Sequence, residues 1–138
     1  MRVVLIDGSN IFEAAKLINL RIDYKKLLEF LNEDQKLLRA YYFTALRDKA
    51  IESPLRKTVD WLSHNGYVCI TKQTQEYEIQ RSYVDNNGVT QTRMVARIKG
   101  NVDVEIATHA FTLAAQASEI WLFSGDGDFT CIDRKSVV

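Results

Sequence analysis

Four apolar residues in a row, Val3 to Ile6, run into Asp7-Gly8-Ser9-Asn10. A short apolar run closed by a glycine-containing turn reads as a buried strand, here over 2–7. Ile11, Ala14, Ala15 and Ile18 then recur at helical spacing. They predict a helix over 11–19, capped by Ser9 or Asn10. Asp23 is placed to cap a second helix, Tyr24 to about Asn32, with Leu27, Leu28 and Leu31 on one face. Leu37 to Leu46 reads as the next strand, rich in aromatic residues. Ser53-Pro54 supplies a cap hydroxyl and a first-turn proline to a helix running to His64, which Asn65-Gly66 ends. Tyr67 to Thr71 predicts another short strand.

Residues 72–98 change character. They are polar, and Asp85-Asn86-Asn87-Gly88 is a hairpin signal between Ile79–Val84 and Val89–Ala96. A projecting β-hairpin insertion around 73–98 is expected. Asn101 can then cap a helix from Val102 to about Ala117, whose buried stripe is read as Val104, Ala107, Phe111 and Ala114, joined by Ile106, Ala110 and Leu113. Glu119 to Phe123 is the last predicted strand, ending in Ser124-Gly125-Asp126-Gly127-Asp128. Strands alternating with helices predict an α/β fold with a mostly parallel sheet and right-handed crossovers. Trp61, Trp121, Tyr41, Tyr42 and Phe43 are expected in the core.

Composition narrows this picture without redirecting it. The 138 residues suit one domain, 1–138, with a real core. Eighteen basic and eighteen acidic residues cancel, which argues against bulk attraction to nucleic acid and leaves room for a local basic strip. Cys69 and Cys131 are far apart, outside any CxxC pattern, and make no metal framework. No apolar run approaches a membrane span, and the N-terminus enters a strand directly, so a cytoplasmic location without a membrane partner is expected. Only ten residues follow Asp128, where an α/β domain usually adds a helix and an edge strand. A truncated C-terminus or an omitted tail is the expectation there.

The candidate chemistry lies in carboxylates. Parallel strands share a carboxyl edge, so Asp7 and Asp126/Asp128 are expected on one rim, and Asp103 in the first turn of its helix can reach it. Taken singly, each acid is better explained by a turn, a cap or the helix dipole. Together they repel one another unless protons or a cation intervene. Oxygen ligands without Cys favour a hard ion, Mg²⁺ or Mn²⁺. One or two such ions activate water and stabilise the leaving oxygen in phosphodiester hydrolysis. His109 lies six residues after Asp103, about 9 Å down the helix and about 120° around it, so a pairing with Glu105 suits it better than a place beside Asp103. His64 is read as a partner of its helix's C-terminal dipole. Lys99 is either a phosphate contact or a solvated loop lysine. The hairpin's Arg81, Arg93 and Arg97, with Tyr77 and Tyr83 for stacking, are either a track for a nucleic-acid backbone or a solvated face.

The segments VVLIDGSN, KGNVDVEIATHA and WLFSGDGDF, in this order and spanning nearly the whole chain, resemble the NYN domains of the PIN-like nuclease superfamily. The resemblance implies a PIN-like three-layer α/β/α sandwich and a divalent-metal-dependent ribonuclease. It matches Asp7, Asp103, Asp126 and Asp128 to the family's acids, Asn10 and Ser124 to supporting polar residues, and Lys99 to the lysine before the Asp103 motif. Two departures stand out: many members have Asp where this chain has His109, and the family normally continues beyond the last motif.

The expected function is Mg²⁺- or Mn²⁺-dependent hydrolysis of RNA. Asp7, Asp103, Asp126 and Asp128 would hold the ions, Asn10 and Ser124 would orient ligands or waters, and Lys99, Arg97, Arg93 and Arg81 would hold RNA. Self-association into a homo-oligomer is left open. Two rivals remain: a non-catalytic RNA-binding or adaptor module on the same fold, and a phosphatase in which Asp7 is the nucleophile. The second usually wants an acid two residues on, where this chain has Ser9.

Overall fold

The computed structural model describes residues 1–47 and 53–131, the side chains of Ile98 and Lys99 excepted. Its elements are β1 (Arg2–Asp7), α1 (Gly8–Leu17), α2 (Tyr24–Leu31), β2 (Leu37–Leu46), α3 (Pro54–His64), β3 (Tyr67–Gln73), β4 (Gln75–Val84), β5 (Thr90–Lys99), α4 (Asp103–Leu113) and β6 (Glu119–Phe123), followed by a 3₁₀ turn, Gly127–Phe129. β3, β2, β1 and β6 form one sheet in that order, and every pairing in it is parallel. β4 and β5 form a separate antiparallel ribbon. The expected α/β architecture with a hairpin insertion is what the chain adopts, and the ribbon is longer at its base than the turn signal implied.

β1 explains why the first apolar run is unbroken. Successive side chains of a strand point to opposite faces, and both faces of this one are covered. Val4 and Ile6 join Leu31, Ala40, Tyr42, Val59 and Leu62 beneath α2 and α3, with Ile11 of α1 packed against them. Val3 and Leu5 join Phe43, Val102, Ile106, Ala110 and Phe129 beneath α4. The chain is therefore layered helices, sheet, helix. Arg2 closes the amino edge of the sheet. It is 2% exposed, its guanidinium donates to Asp34, Glu119 and the Leu31 carbonyl, and it lies 3.9 Å from the centre of the Trp121 ring.

Several local expectations are corrected. α1 begins at Gly8 and is capped by Asp7, not by Ser9 or Asn10. Ala14 and Ile18 of the expected α1 face are exposed. α4 begins at Asp103 with Val102 as its N-cap and no side-chain cap bond from Asn101, and it ends at Leu113 rather than near Ala117. Its buried residues are Ile106 and Ala110, continuing from Val102, whereas Val104 and Phe111 are 70% and 58% exposed. Positions i, i+4 and i+8 face the sheet, and the helix is turned from the stripe read in the sequence. Trp61 is 44% exposed, outside the core. Residues 132–138, the last of the ten that follow Asp128, lie outside the described residues.

The rotated face of α4 predicts a contrast. Ile106→Ala should cost about 2–4 kcal/mol, because it removes a fully buried side chain. Val104→Ala should stay within about 0.5 kcal/mol, as exposed positions do. Urea unfolding of both variants checks it. Equal losses would contradict the observed face.

Candidate metal centre

β1 has neighbours on both sides, and the carboxyl ends of β1 and β6 open onto the crevice between them, where open α/β sheets bind ligands. Asp7 ends β1. It is 4% exposed. Its Oδ1 accepts the Asn10 backbone N–H at 3.4 Å and its Oδ2 accepts the Ser124 hydroxyl at 2.9 Å. Ser124 Oγ also accepts the Asp126 backbone N–H at 3.1 Å, and Asn10 Oδ1 accepts the Gly125 N–H at 2.7 Å. Asn10 and Ser124 thus lash the loop after β6 to the start of α1.

That loop then folds on itself. Asp126 Oδ1 accepts the Asp128 N–H at 2.9 Å and starts the 3₁₀ turn, whose Phe129 is buried in the core beneath α4. The local turn weighed for Asp126 is present, and the second oxygen of its carboxylate is not committed to that bond. Asp103, the first residue of α4, comes in from the other side. One carboxylate oxygen from each of Asp103, Asp126 and Asp128 lies within 4.8 Å of the others. Asp7 is outside this trio. Its charge still acts on Asp103, whose carboxyl is pushed above the usual range by burial, then by the negative charges of Asp126, Asp7, Asp128 and Glu105.

The donor set suits a hard cation. Oxygens about 2.1 Å from a Mg²⁺ ion sit about 3–4 Å from one another in an octahedron, a spacing the three carboxylates reach with small side-chain movements. Among the described residues no histidine or cysteine joins them. Cys69, half-buried, has its thiol pushed up to about 11 by burial and then by the nearby Asp60 charge, which suits it poorly to soft-metal ligation.

Glu105 is the acid that sequence reasoning assigned elsewhere. Its Oε1 pairs with Lys72 at 3.1 Å, and its Oε2 is buried without a hydrogen-bond partner among the described residues. The signal was present as an acid two residues after Asp103. His109 bonds the Glu105 main-chain carbonyl through Nδ1 at 2.8 Å rather than pairing with the carboxylate. Its ring packs against Tyr41 and Phe43, with centroids 5.3 and 5.1 Å away. His64 lies in the last turn of α3, its Nδ1 2.7 Å from the Asp60 carbonyl oxygen. Arg81, Arg93 and Arg97 stand exposed on the ribbon. Lys99 ends β5, and its side chain lies outside the described atoms.

Comparison with known proteins adds three findings. A family model described as NYN domain matches residues 2–134. The low amplitude and bright protein LabA of Synechococcus elongatus is 34% identical over 128 residues, which cover 91% of this chain and 62% of that protein. The chain therefore spans about 62% of the length of this curated relative. The crystal structure of a protein of unknown function from Vibrio parahaemolyticus superposes with a TM-score of 0.68 at 20% identity, covering 98% of this chain and 72% of that one. At that identity the likeness is one of fold.

Proposed function

The chain belongs to the NYN domain family of the PIN-like superfamily, and from that premise we propose that it is a divalent-metal-dependent ribonuclease. The observation that carries this reading is the convergence of Asp103, Asp126 and Asp128 from two separate segments to within 4.8 Å at the carboxyl edge of the sheet. A Mg²⁺ or Mn²⁺ ion held there supplies Lewis acidity toward a phosphodiester and its attacking water. The protein's share is to position and polarise. Asp103, Asp126 and Asp128 present the ligand oxygens. Asp7, buried at the end of β1, together with Ser124 and Asn10 fixes the loop that bears two of them. Such ties lock ligand rotamers, and losing them commonly lowers metal affinity or activity 10–100-fold. Arg81, Arg93, Arg97 and Lys99 are proposed to hold the RNA backbone. A cytoplasmic setting fits a domain in which no described helix is long and apolar enough to cross a membrane.

The test is cleavage of end-labelled RNA by the purified chain at millimolar Mn²⁺. Wild type should cut, EDTA should stop it, and Asp7→Asn should cut about 10²-fold more slowly. Equal cutting by wild type and Asp7→Asn would mark the activity as a contaminant and end the proposal. A second reading, a non-catalytic RNA-binding module, draws on His109, which packs on the sheet instead of adding a carboxylate to the crevice. RNA bound with salt-dependent affinity and left intact at every metal concentration would favour it.

A further inference from the structure

The β4–β5 ribbon sorts its side chains by sign. Strand residues alternate faces, and residues directly opposite in an antiparallel pair share one. The register pairs Tyr77 with Arg97, Ile79 with Val95, Arg81 with Arg93 and Tyr83 with Gln91. One face therefore carries three arginines and two tyrosines and no carboxylate. The other carries Glu76 and Glu78 with Gln80, Ser82, Thr92 and Met94, and no cation among its described side chains. A merely solvated ribbon has no need of this segregation in a chain of zero net charge.

Two details say what the basic face awaits. Arg81 and Arg93 are directly opposite, and like charges so placed destabilise a strand pair unless an anion lies between or above them. Among the described residues no carboxylate pairs with Arg81, Arg93 or Arg97. The Arg93 guanidinium lies 5.4 Å from the centre of the Tyr83 ring, which holds a cation and an aromatic face side by side. Tyr77 and Tyr83 are 47% and 45% exposed, while Ile79 and Val95 between them are only half-buried. The two tyrosines are six residues apart on one strand, about 20 Å. Polyanion charge and stackable rings together are the requirements of a single-stranded nucleic acid, whose bases are free to stack. A duplex keeps its bases stacked on one another and leaves no free ring faces along its length. The ribbon also ends close to the carboxylates, since only Gly100, Asn101 and Val102 separate β5 from Asp103.

We propose that the Tyr77/Arg81/Tyr83/Arg93/Arg97 face of the β4–β5 ribbon binds single-stranded RNA, with arginines on phosphates and tyrosines under bases. The inference rests on RNA being the ligand class of the proposed ribonuclease, and it does not require cleavage. The experiment is therefore run in EDTA, by fluorescence anisotropy of a labelled 20-nucleotide uridine RNA and a 20-base-pair RNA duplex. Wild type should favour the single strand. Arg81→Gln/Arg93→Gln/Arg97→Gln should weaken it at least tenfold and lower the slope of log K against log salt by about 2, since each neutralised phosphate on a single strand contributes about 0.7. Tyr77→Leu/Tyr83→Leu should weaken it about fivefold or more and leave the slope unchanged. Glu76→Gln/Glu78→Gln, on the opposite face, should stay within twofold. An Arg81→Lys/Arg93→Lys/Arg97→Lys variant guards against misfolding, because it should keep the slope. Unchanged binding by the Gln variant, equal loss in the Glu variant or no wild-type binding would each overturn the inference. So would a Gln variant that changes only the sedimenting mass, which would make the face a contact between copies. Binding that behaves as expected without cleavage on adding Mn²⁺ would overturn the nuclease reading and leave this one standing.

Discussion

Replacing Asp103 with Asn should make the metal-free protein more stable and nearly abolish the proposed cleavage. Asp103 is pushed above the usual carboxyl range by burial and by the charges of Asp126, Asp7, Asp128 and Glu105. At pH 7 the folded state must therefore hold a carboxylate where charge is disfavoured, a cost the unfolded chain escapes. An amide of the same shape removes that cost, so the melting temperature in EDTA should rise. With metal the order reverses. Wild type should gain about 2.7 kcal/mol at a concentration 100 times the dissociation constant, on the order of 10 °C for a chain of this size. The variant should gain little. Cleavage should fall about 10³-fold, the equivalent of about 4 kcal/mol of barrier. Scanning calorimetry with and without Mn²⁺, beside a cleavage assay, reads all three. A variant destabilised in EDTA would show Asp103 to be a structural acid instead.

Gly8→Ala should be the most damaging of the glycine-to-alanine substitutions. A Cβ at Gly8 would fall inside the van der Waals envelope of the Tyr42 ring and 2.7 Å from the Phe43 carbonyl oxygen. Neither can yield: Tyr42 and Phe43 are fully buried in the strand beside β1, and the Tyr42 hydroxyl donates to the Gly8 carbonyl at 3.4 Å. The expected loss is above about 3 kcal/mol, beyond ordinary overpacking, because a fully buried ring and a strand carbonyl must both move. Asp7 precedes this glycine, so any displacement also shifts the floor of the site. Gly127→Ala is the control. A Cβ there meets nothing within 4 Å, so the variant should unfold at the same urea concentration as wild type. Comparable losses at the two glycines would refute the steric argument.

The parts of the molecule legible in its sequence are those whose cause is local. Ser53-Pro54 announces α3, and the Ser53 hydroxyl does accept the Arg56 N–H. Val3 to Ile6 announces β1 because burial on both faces requires an unbroken apolar run. α4 was misread because its apolar residues spread over about half of its circumference, wider than a single stripe. Val102, Val104, Ile106, Ala110 and Phe111 support more than one stripe, and the choice between them belongs to Val3, Leu5 and Phe43 on the sheet. The cap of α1 was ambiguous because Asp7, Ser9 and Asn10 are all capping residue types. At the site, the residue types and the shared strand edge were legible. The bonds Ser124 to Asp7 and Gly125 to Asn10 join positions more than a hundred residues apart, and no spacing rule reaches that far. The same limit hid Glu105, whose tie to Lys72 on β3 exists only once the sheet has formed.

The chain leaves the sheet at Thr74 and returns at Gly100, and these two residues touch. A Cβ on Gly100 would come within 3.1 Å of the Thr74 Cα. Entry and exit of the ribbon are thus a single point on the body. Among the described side chains, none between them belongs to either core. The ribbon is accordingly free to diverge, lengthen or be exchanged without reopening the folding problem that the sheet has solved. Selection can retune what this domain holds by rewriting residues 75–99, while the carboxylates, fixed to the body, stay as they are.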